Sequence, residues 1–455
     1  MISQPKNQLR KPQPVFSLLD STAVMVGIVI GVGIYETAPL VASCLPGTVS
    51  MLTVWALGGV LSLAGALCYA ELASTYPQNG GDYIYLSKAY GDTVGYLFAW
   101  ASFAIIRPGS IAAMAFPFAH YLEGLWSPFR GTLLEGSSTV LFATGGVVLL
   151  TGINCIKVSA SAWAQNVLTL LKILGLFAIF VAAVVVTPSE SISSVTVANS
   201  KNQNFGLALI LVLFTYGGWQ EIGYVAAEVR HPEKNLSRSI LLCVLIVTCL
   251  YLLTNFAFVW ALGYTGLTQS TIAASDTLAV VFPHWGPRFM SALICLSAMG
   301  AMNGLILTGS RISHVLGRDY PLFRILGGWN SARGTPLRAL LVQALMSIFI
   351  VVLSGSFSST VVYTTAVVWI FFTLTGFSVL ILRYKNSPNT NRRQFPFNIL
   401  SMSIFCISAL YLAYNAFVYD WKGSLVSIGI VGLGWCFKRS PRSISEEPPP
   451  PLALL

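Results

Sequence analysis

Charge is what this sequence lacks most. Only 9% of its 455 residues are Asp, Glu, Lys or Arg, against roughly a quarter in a soluble globular protein. A water-facing surface for a chain of this length cannot be built from so few charges, which excludes an ordinary soluble fold. Histidine is nearly as scarce. His120, His231, His284 and His314 are predicted at helix ends or in loops, too scattered to make a site. No nucleophile–base–acid set, Gly-rich phosphate loop or metal-ligand spacing occurs, so the sequence points to no enzyme, no metal and no cofactor. The eight cysteines (Cys44, Cys68, Cys155, Cys243, Cys249, Cys295, Cys406 and Cys436) form no CxxC pair. They fall within or at the ends of hydrophobic segments and read as small apolar packing residues.

Apolar sequence is abundant. Hydrophobic residues make up 55% of the chain and the mean hydropathy is +0.72, so the lipid bilayer is the expected surrounding. Runs of membrane-spanning length fall near 18–43, 49–75, 83–119, 138–156, 160–187, 205–227, 238–263, 287–314, 336–355, 358–382, 397–418 and 423–437, which predicts about twelve helices in an all-α integral membrane protein. Most of the 26 Lys and Arg residues lie at the termini and in the loops on the same side. The opposite side carries only Arg130, Lys201, Arg288 and Lys422. The positive-inside rule then places both termini in the cytoplasm and the chain in the cell (inner) membrane. The net charge of +10 is mostly topological and does not indicate nucleic-acid binding. Residues 1–16 form a cytoplasmic segment too polar for a signal peptide, 17–439 the single membrane domain, and 440–455 a Pro-rich tail expected to be disordered.

Two of the runs are interrupted. Gly31-Val32-Gly33-Ile34-Tyr35 breaks the first and Tyr216-Gly217-Gly218-Trp219 the sixth. Either break alone could be a small-residue packing face. Breaks at corresponding places in two halves instead mark the midplane binding site of a secondary transporter. Repeats near 17–187 and 204–383, each opening on a broken helix, predict a five-plus-five inverted-repeat core with discontinuous helices 1 and 6, and 397–437 supplies two extra helices.

The residues around these breaks carry a resemblance. Gly31-Val32-Gly33-Ile34-Tyr35, Ala66-Leu67-Cys68-Tyr69-Ala70-Glu71-Leu72, Asn79-Gly80-Gly81-Asp82-Tyr83, Phe214-Thr215-Tyr216-Gly217-Gly218-Trp219 and Gly300-Ala301-Met302-Asn303-Gly304 occur in the order seen in the amino acid–polyamine–organocation superfamily. The chain resembles its L-type and cationic amino acid branch. The resemblance implies transport of an amino acid, a small-molecule substrate, by alternating access. The substrate carboxylate would meet backbone amides at Val32, Gly33 and Ile34, and its ammonium carbonyls near Ile28, Phe214 and Gly217, with Gly31, Gly218 and Trp219 completing the site. Val32 stands where the family has a serine, so carboxylate binding would rest on main chain alone. Phe214 and Trp369 fall at positions of aromatic gates. Family members that pair with a single-span glycoprotein use a cysteine between helices 3 and 4. Residues 120–137 contain none, so no disulfide-linked glycoprotein subunit is expected.

Lys172 lies about 13 positions into helix 5, roughly 20 Å from the cytoplasmic end, too deep to snorkel. A midplane lysine costs on the order of 2.5–3.5 kcal/mol and needs an interior partner. The resemblance implies that it replaces a sodium ion, touching carbonyls of helix 1 and the hydroxyl of Ser297, which predicts sodium-independent transport with proton-coupled uptake. A static ion pair is the structural alternative. Glu36 and Glu221 each follow a break. Each is either a proton-titrating or cation-attracting carboxylate, or a cap on the resumed half-helix. Arg107, about 24 residues into the predicted helix 3, reads as snorkelling or paired near its outer end. Asn303 reads as a tie between helices. Obligate exchange is the rival transport mode, and a substrate sensor that binds without turnover is the rival of another class.

Overall fold

The computed structural model of the chain describes residues 17–76, 81–156, 161–185, 204–221, 229–330, 335–385 and 398–438. Within them a few side chains, Glu221 among them, lie outside the description. The N-terminal segment and the Pro-rich tail also lie outside the described residues. What is described is helical: α1 (Leu18–Val29), α2 (Gly33–Ser43), α3 (Thr48–Thr75), α4 (Asp82–Tyr90), α5 (Asp92–Leu125), α6 (Ser138–Ile156), α7 (Ser161–Val185), α8 (Phe205–Thr215), α9 (Pro232–Gln269), α10 (Ala273–Val281), α11 (Gly286–Asp319), α12 (Leu337–Ser354), α13 (Phe357–Lys385), α14 (Asn398–Tyr419) and α15 (Trp421–Phe437).

Among the described residues eight helices are long and apolar enough to cross a membrane, or nine when the bent pair α1–α2 counts as one span. Three shorter apolar stretches, Leu174–Val185, Phe205–Thr215 and Trp421–Phe437, fall in the remaining segments predicted to cross.

Local chemistry explains the helix starts. Ser17 and Asp20 form a reciprocal capping box at α1, with Ser17 N donating to Asp20 Oδ2 at 3.0 Å and Asp20 N to Ser17 Oγ at 3.3 Å. This satisfies two of the free amides of a first turn. The Asn204 side chain caps α8 at Leu207 N (2.9 Å), and its own amide donates to Cys44 O at 3.1 Å. The start of α8 is therefore stitched to the end of α2, and the two broken helices enter from opposite ends.

The third run differs from its prediction. Gly91, at φ +88°, ends α4 and α5 starts afresh at Asp92. Arg107 thus sits about midway along the Asp92–Leu125 span and not near its outer end. It follows a π-helical turn at Ser102–Ile106, where the extra residue makes room for Pro108, which has no amide hydrogen to give.

In the core, α3 packs along α9 and α5 along α11, with α6 and α12 flanking the second pair. Asn154 Nδ2 on α6 donates to Asn303 Oδ1 on α11 at 2.6 Å and to Leu150 O at 2.8 Å, so Asn303 does join two helices. Against this framework lie α1, α2 and α8.

Candidate functional site

The first break spans three residues. Ile30 closes α1, Val32 begins α2 without any side-chain cap, and the axis turns by 52°. The amides of Gly33 and Ile34 open α2 and have no intrahelical acceptor. They point along a helix start, where backbone partial charge favours an anion. At the second break α8 ends at Thr215, Gly218 adopts φ +117° and a 3₁₀ turn follows at Trp219–Glu221. That φ is costly for any residue with a Cβ. Residues 222–228 lie outside the described part.

The breaks meet crosswise. A Cβ on Gly33 would lie 3.4 Å from Thr215 Cγ2, and one on Gly218 would lie 3.2 Å from Ile28 Cγ2 and 3.3 Å from Val29 Cα. Each resumed segment therefore rests on the final turn of the other broken helix. Thr37 Oγ1 and Thr215 Oγ1 hydrogen-bond at 2.8 Å. Tyr251, fully buried on α9, donates its hydroxyl to Val29 O (2.9 Å) and Thr215 O (3.2 Å). Those carbonyls end α1 and α8, and pairing them removes the cost of orphaned polar groups at depth. Sequence reasoning missed Tyr251, because an isolated tyrosine in a long apolar run carries no local signal.

The carbonyls available to a cation are accordingly few. Phe214 O accepts Gly217 N at 3.0 Å, and Ile28 stands against Gly218 yet remains 38% exposed. Gly31, Phe214, Gly217 and Gly218 are half-exposed, whereas Val32, Gly33, Ile34, Tyr35, Glu36 and Thr37 are all buried. The partly open residues thus lie on the α1 side of the first break and at the turn of the second, whereas the start of α2 is closely packed.

Lys172 is 5% exposed. Its Nζ donates to Gly27 O on α1 at 3.5 Å, while its own carbonyl accepts Tyr35 Oη on α2 at 3.4 Å. It therefore stands at the first break, touching both halves. Ser297 on α11 is fully buried, and its hydroxyl has no hydrogen-bond partner among the described residues.

Trp219 is buried beneath Tyr69, with ring centroids 5.1 Å apart, and beside Phe372 and Phe405. Trp369 packs on the same Phe372 at 5.3 Å, so the second break leads into an aromatic cluster. Phe214 meets Phe357 edge-on at 5.6 Å.

Glu36 lies in the first turn of α2 and is 4% exposed. Its Oε1 pairs with His120 Nδ1 on α5 at 2.7 Å. The carboxylate pairs with this imidazole and not with the helix-start amides. The expectation that the histidines are too scattered to matter fails at His120, which lies 84 residues from its partner. At the end where α3 and α13 finish, Arg383 holds Glu71 through two bonds of 2.6 and 2.7 Å. Asp82 there accepts Tyr69 Oη and, at 2.9 Å, Thr375 Oγ1. No group of three or more His, Cys, Asp or Glu residues placed to hold a metal occurs among the described residues.

Comparison with known proteins points one way. The sequence model of a family described as "Amino acid permease" matches residues 16–429. The chain is 28% identical over 439 residues to the b(0,+)-type amino acid transporter 1 of Mus musculus, covering 92% of this chain and 87% of the relative. It is 30% identical over 387 residues to the large neutral amino acids transporter small subunit 2 of Rattus norvegicus, covering 81% and 70% respectively.

Proposed function

Since the chain belongs to the amino acid permease family, we propose that it carries amino acids across the cell membrane by sodium-independent, proton-coupled alternating access. The observation that carries this reading is the crosswise meeting of two broken helices beside one buried ammonium. An amino acid needs a partner for its carboxylate and one for its ammonium. The free amides at the start of α2 suit the first and the carbonyls around Ile28, Phe214 and Gly217 the second. Helical ends aimed at a midplane cavity supply both without any charged side chain.

Lys172 takes the place of a bound cation. Its single described acceptor, at 3.5 Å, leaves the ammonium poorly compensated, so any movement of α1 changes the cost of keeping the charge there. That supports coupling to the proton gradient. The twelve apolar segments are assigned as twelve crossings with cytoplasmic termini. The five-plus-five repeat is supported by the opposite entry of α1–α2 and α8. In the working cycle α1, α2 and α8 rock against α5, α6, α11 and α12. With no cysteine between residues 120 and 137, the transporter works without a disulfide-linked subunit.

The test is uptake into proteoliposomes of the purified protein, with a mixture of the twenty L-amino acids as probe. Uptake should persist when choline replaces sodium and should grow with an inward proton gradient. Loss of uptake in choline would overturn the role of Lys172. Failure of preloaded substrate to leave into substrate-free medium would replace proton coupling by obligate exchange.

A further inference from the structure

We propose that Glu36 and His120 form a proton-binding latch across the packed face of the transporter, opposite the end where α1 begins, which is tight only while the pair holds a proton. This goes beyond the transport reading, because a proton that binds and leaves on one face is not carried across.

The pair joins two elements that alternating access must separate. Glu36 rides on the half-helix α2, and His120 sits near the far end of the scaffold helix α5. Apart from a long hydrogen bond from Tyr121 Oη to Tyr35 O at 3.5 Å, the two elements touch only lightly, whereas α2 packs closely on α8 and α9. Opening this face by moving α2 off α5 must break the 2.7 Å contact.

The surroundings make the proton necessary. Glu36 Oε2 is buried with no hydrogen-bond partner among the described residues, so this carboxylate depends on one neighbour for compensation. The titratable groups facing it supply no other cation. On α2 and α5 these are Tyr35, Tyr121 and Glu123. Glu123 receives the Thr139 hydroxyl of α6 at one oxygen, at 3.1 Å, and leaves the other unpartnered. Asp276 of α10 accepts Ser270 Oγ at 2.6 Å. On α9, Tyr264 donates to Ala42 O and Leu45 O and Tyr251 is occupied at the breaks. Residues Phe205–Thr215 of α8 include no titratable group, and the ammonium of Lys172 faces Gly27 across the break. His284 and Arg288, between α10 and the start of α11, are exposed. The surrounding charge is therefore negative, and His120 is the group able to neutralise it.

The His120 side chain is 27% exposed near the end of α5, which gives a proton a route to it while the latch is shut. The sign follows from the pairing. The 2.7 Å contact is charge-assisted while the imidazole carries its second proton and falls to a neutral hydrogen bond once that proton leaves, so the latch weakens as pH rises.

The experiment is counterflow through proteoliposomes of the full chain, loaded with unlabelled amino acids. A labelled mixture of the twenty L-amino acids serves as probe, and pH is kept equal on both sides so that no gradient contributes. A charge-assisted hydrogen bond exceeds a neutral one by enough to slow wild-type exchange about fivefold between about pH 8 and about pH 5.5. His120→Gln, which keeps a hydrogen-bond donor, should lose this slowing at low pH, and so should Glu36→Gln, leaving only the slope that Lys172 imposes. Infrared pH-difference spectra of the purified protein should show an imidazole–carboxylate titration that His120→Gln removes. An unchanged pH slope or an unchanged titration in His120→Gln overturns the latch. A wild type that shows the titration but no counterflow retains the proton site and overturns the transport reading instead.

Discussion

The two breaks share a backbone plan and differ in what surrounds it. Both end a half-helix on a carbonyl held by Tyr251, and both place a glycine against the other helix. Beyond that they diverge. The first resumes at once as α2, buried from Gly33 to Pro39. The second turns through left-handed Gly218 into a short 3₁₀ turn and an aromatic cluster. One break leads into a buried half-helix and the other bends against large rings. Two breaks can thus share a main-chain plan while their side chains differ.

The largest expected effect comes from filling either break. Gly33→Leu drives a side chain into Thr215, and Gly217→Leu places a Cβ 2.9 Å from Phe214 O. Both should abolish ligand-induced stabilisation in a thermal-shift screen against the common amino acids and polyamines, where bound ligand raises the melting temperature by mass action. If only one variant loses it, the substrate rests on a single break and the crossed site is wrong.

Lys172 is described at the first break alone, so Lys172→Ala should stop or uncouple transport without unfolding the protein. Its uptake under an inward proton gradient should fall to the rate measured without one. Wild-type kinetics in that variant would make the lysine a static tie.

Tyr251→Phe acts on both breaks together. It removes the one hydrogen that two buried carbonyls share, at about 1–3 kcal/mol in all. Melting of the purified protein should fall by several degrees, with weaker amino-acid binding. Loss of stability with binding intact would confine the tyrosine to packing.

The smallest effect is a difference of differences. Glu36→Gln should flatten the pH profile of exchange, whereas Glu221→Gln, at the corresponding place after the second break, should leave it sloped. Equal profiles would restore the side-chain symmetry denied above.

Some of this was legible in the chain and some was not. The breaks could be read because glycine pairs inside long apolar runs leave a one-dimensional mark. Lys172 could be read because burial of a charge needs only its depth. The crossed contacts of Gly33 with Thr215 and Gly218 with Val29 depend on how two distant helices meet, which no spacing records. The pairing of His120 with Glu36 is hidden for the same reason, since 84 residues separate a helix-end histidine from a carboxylate in a first helical turn. Arg107 is centred by a break at Tyr90-Gly91-Asp92 that hydropathy alone runs straight through. A glycine followed by an acidic residue is a helix stop and a helix start, and reading it so would have centred Arg107.

Tyr251 has one hydroxyl hydrogen and two carbonyls within reach, at 2.9 and 3.2 Å. A hydrogen shared between two acceptors is a balance: whatever draws Val29 closer loosens the hold on Thr215, and the reverse. The end of α1 and the end of α8 therefore compete for a common counterweight on α9, and neither broken helix can shift without changing the load on the other.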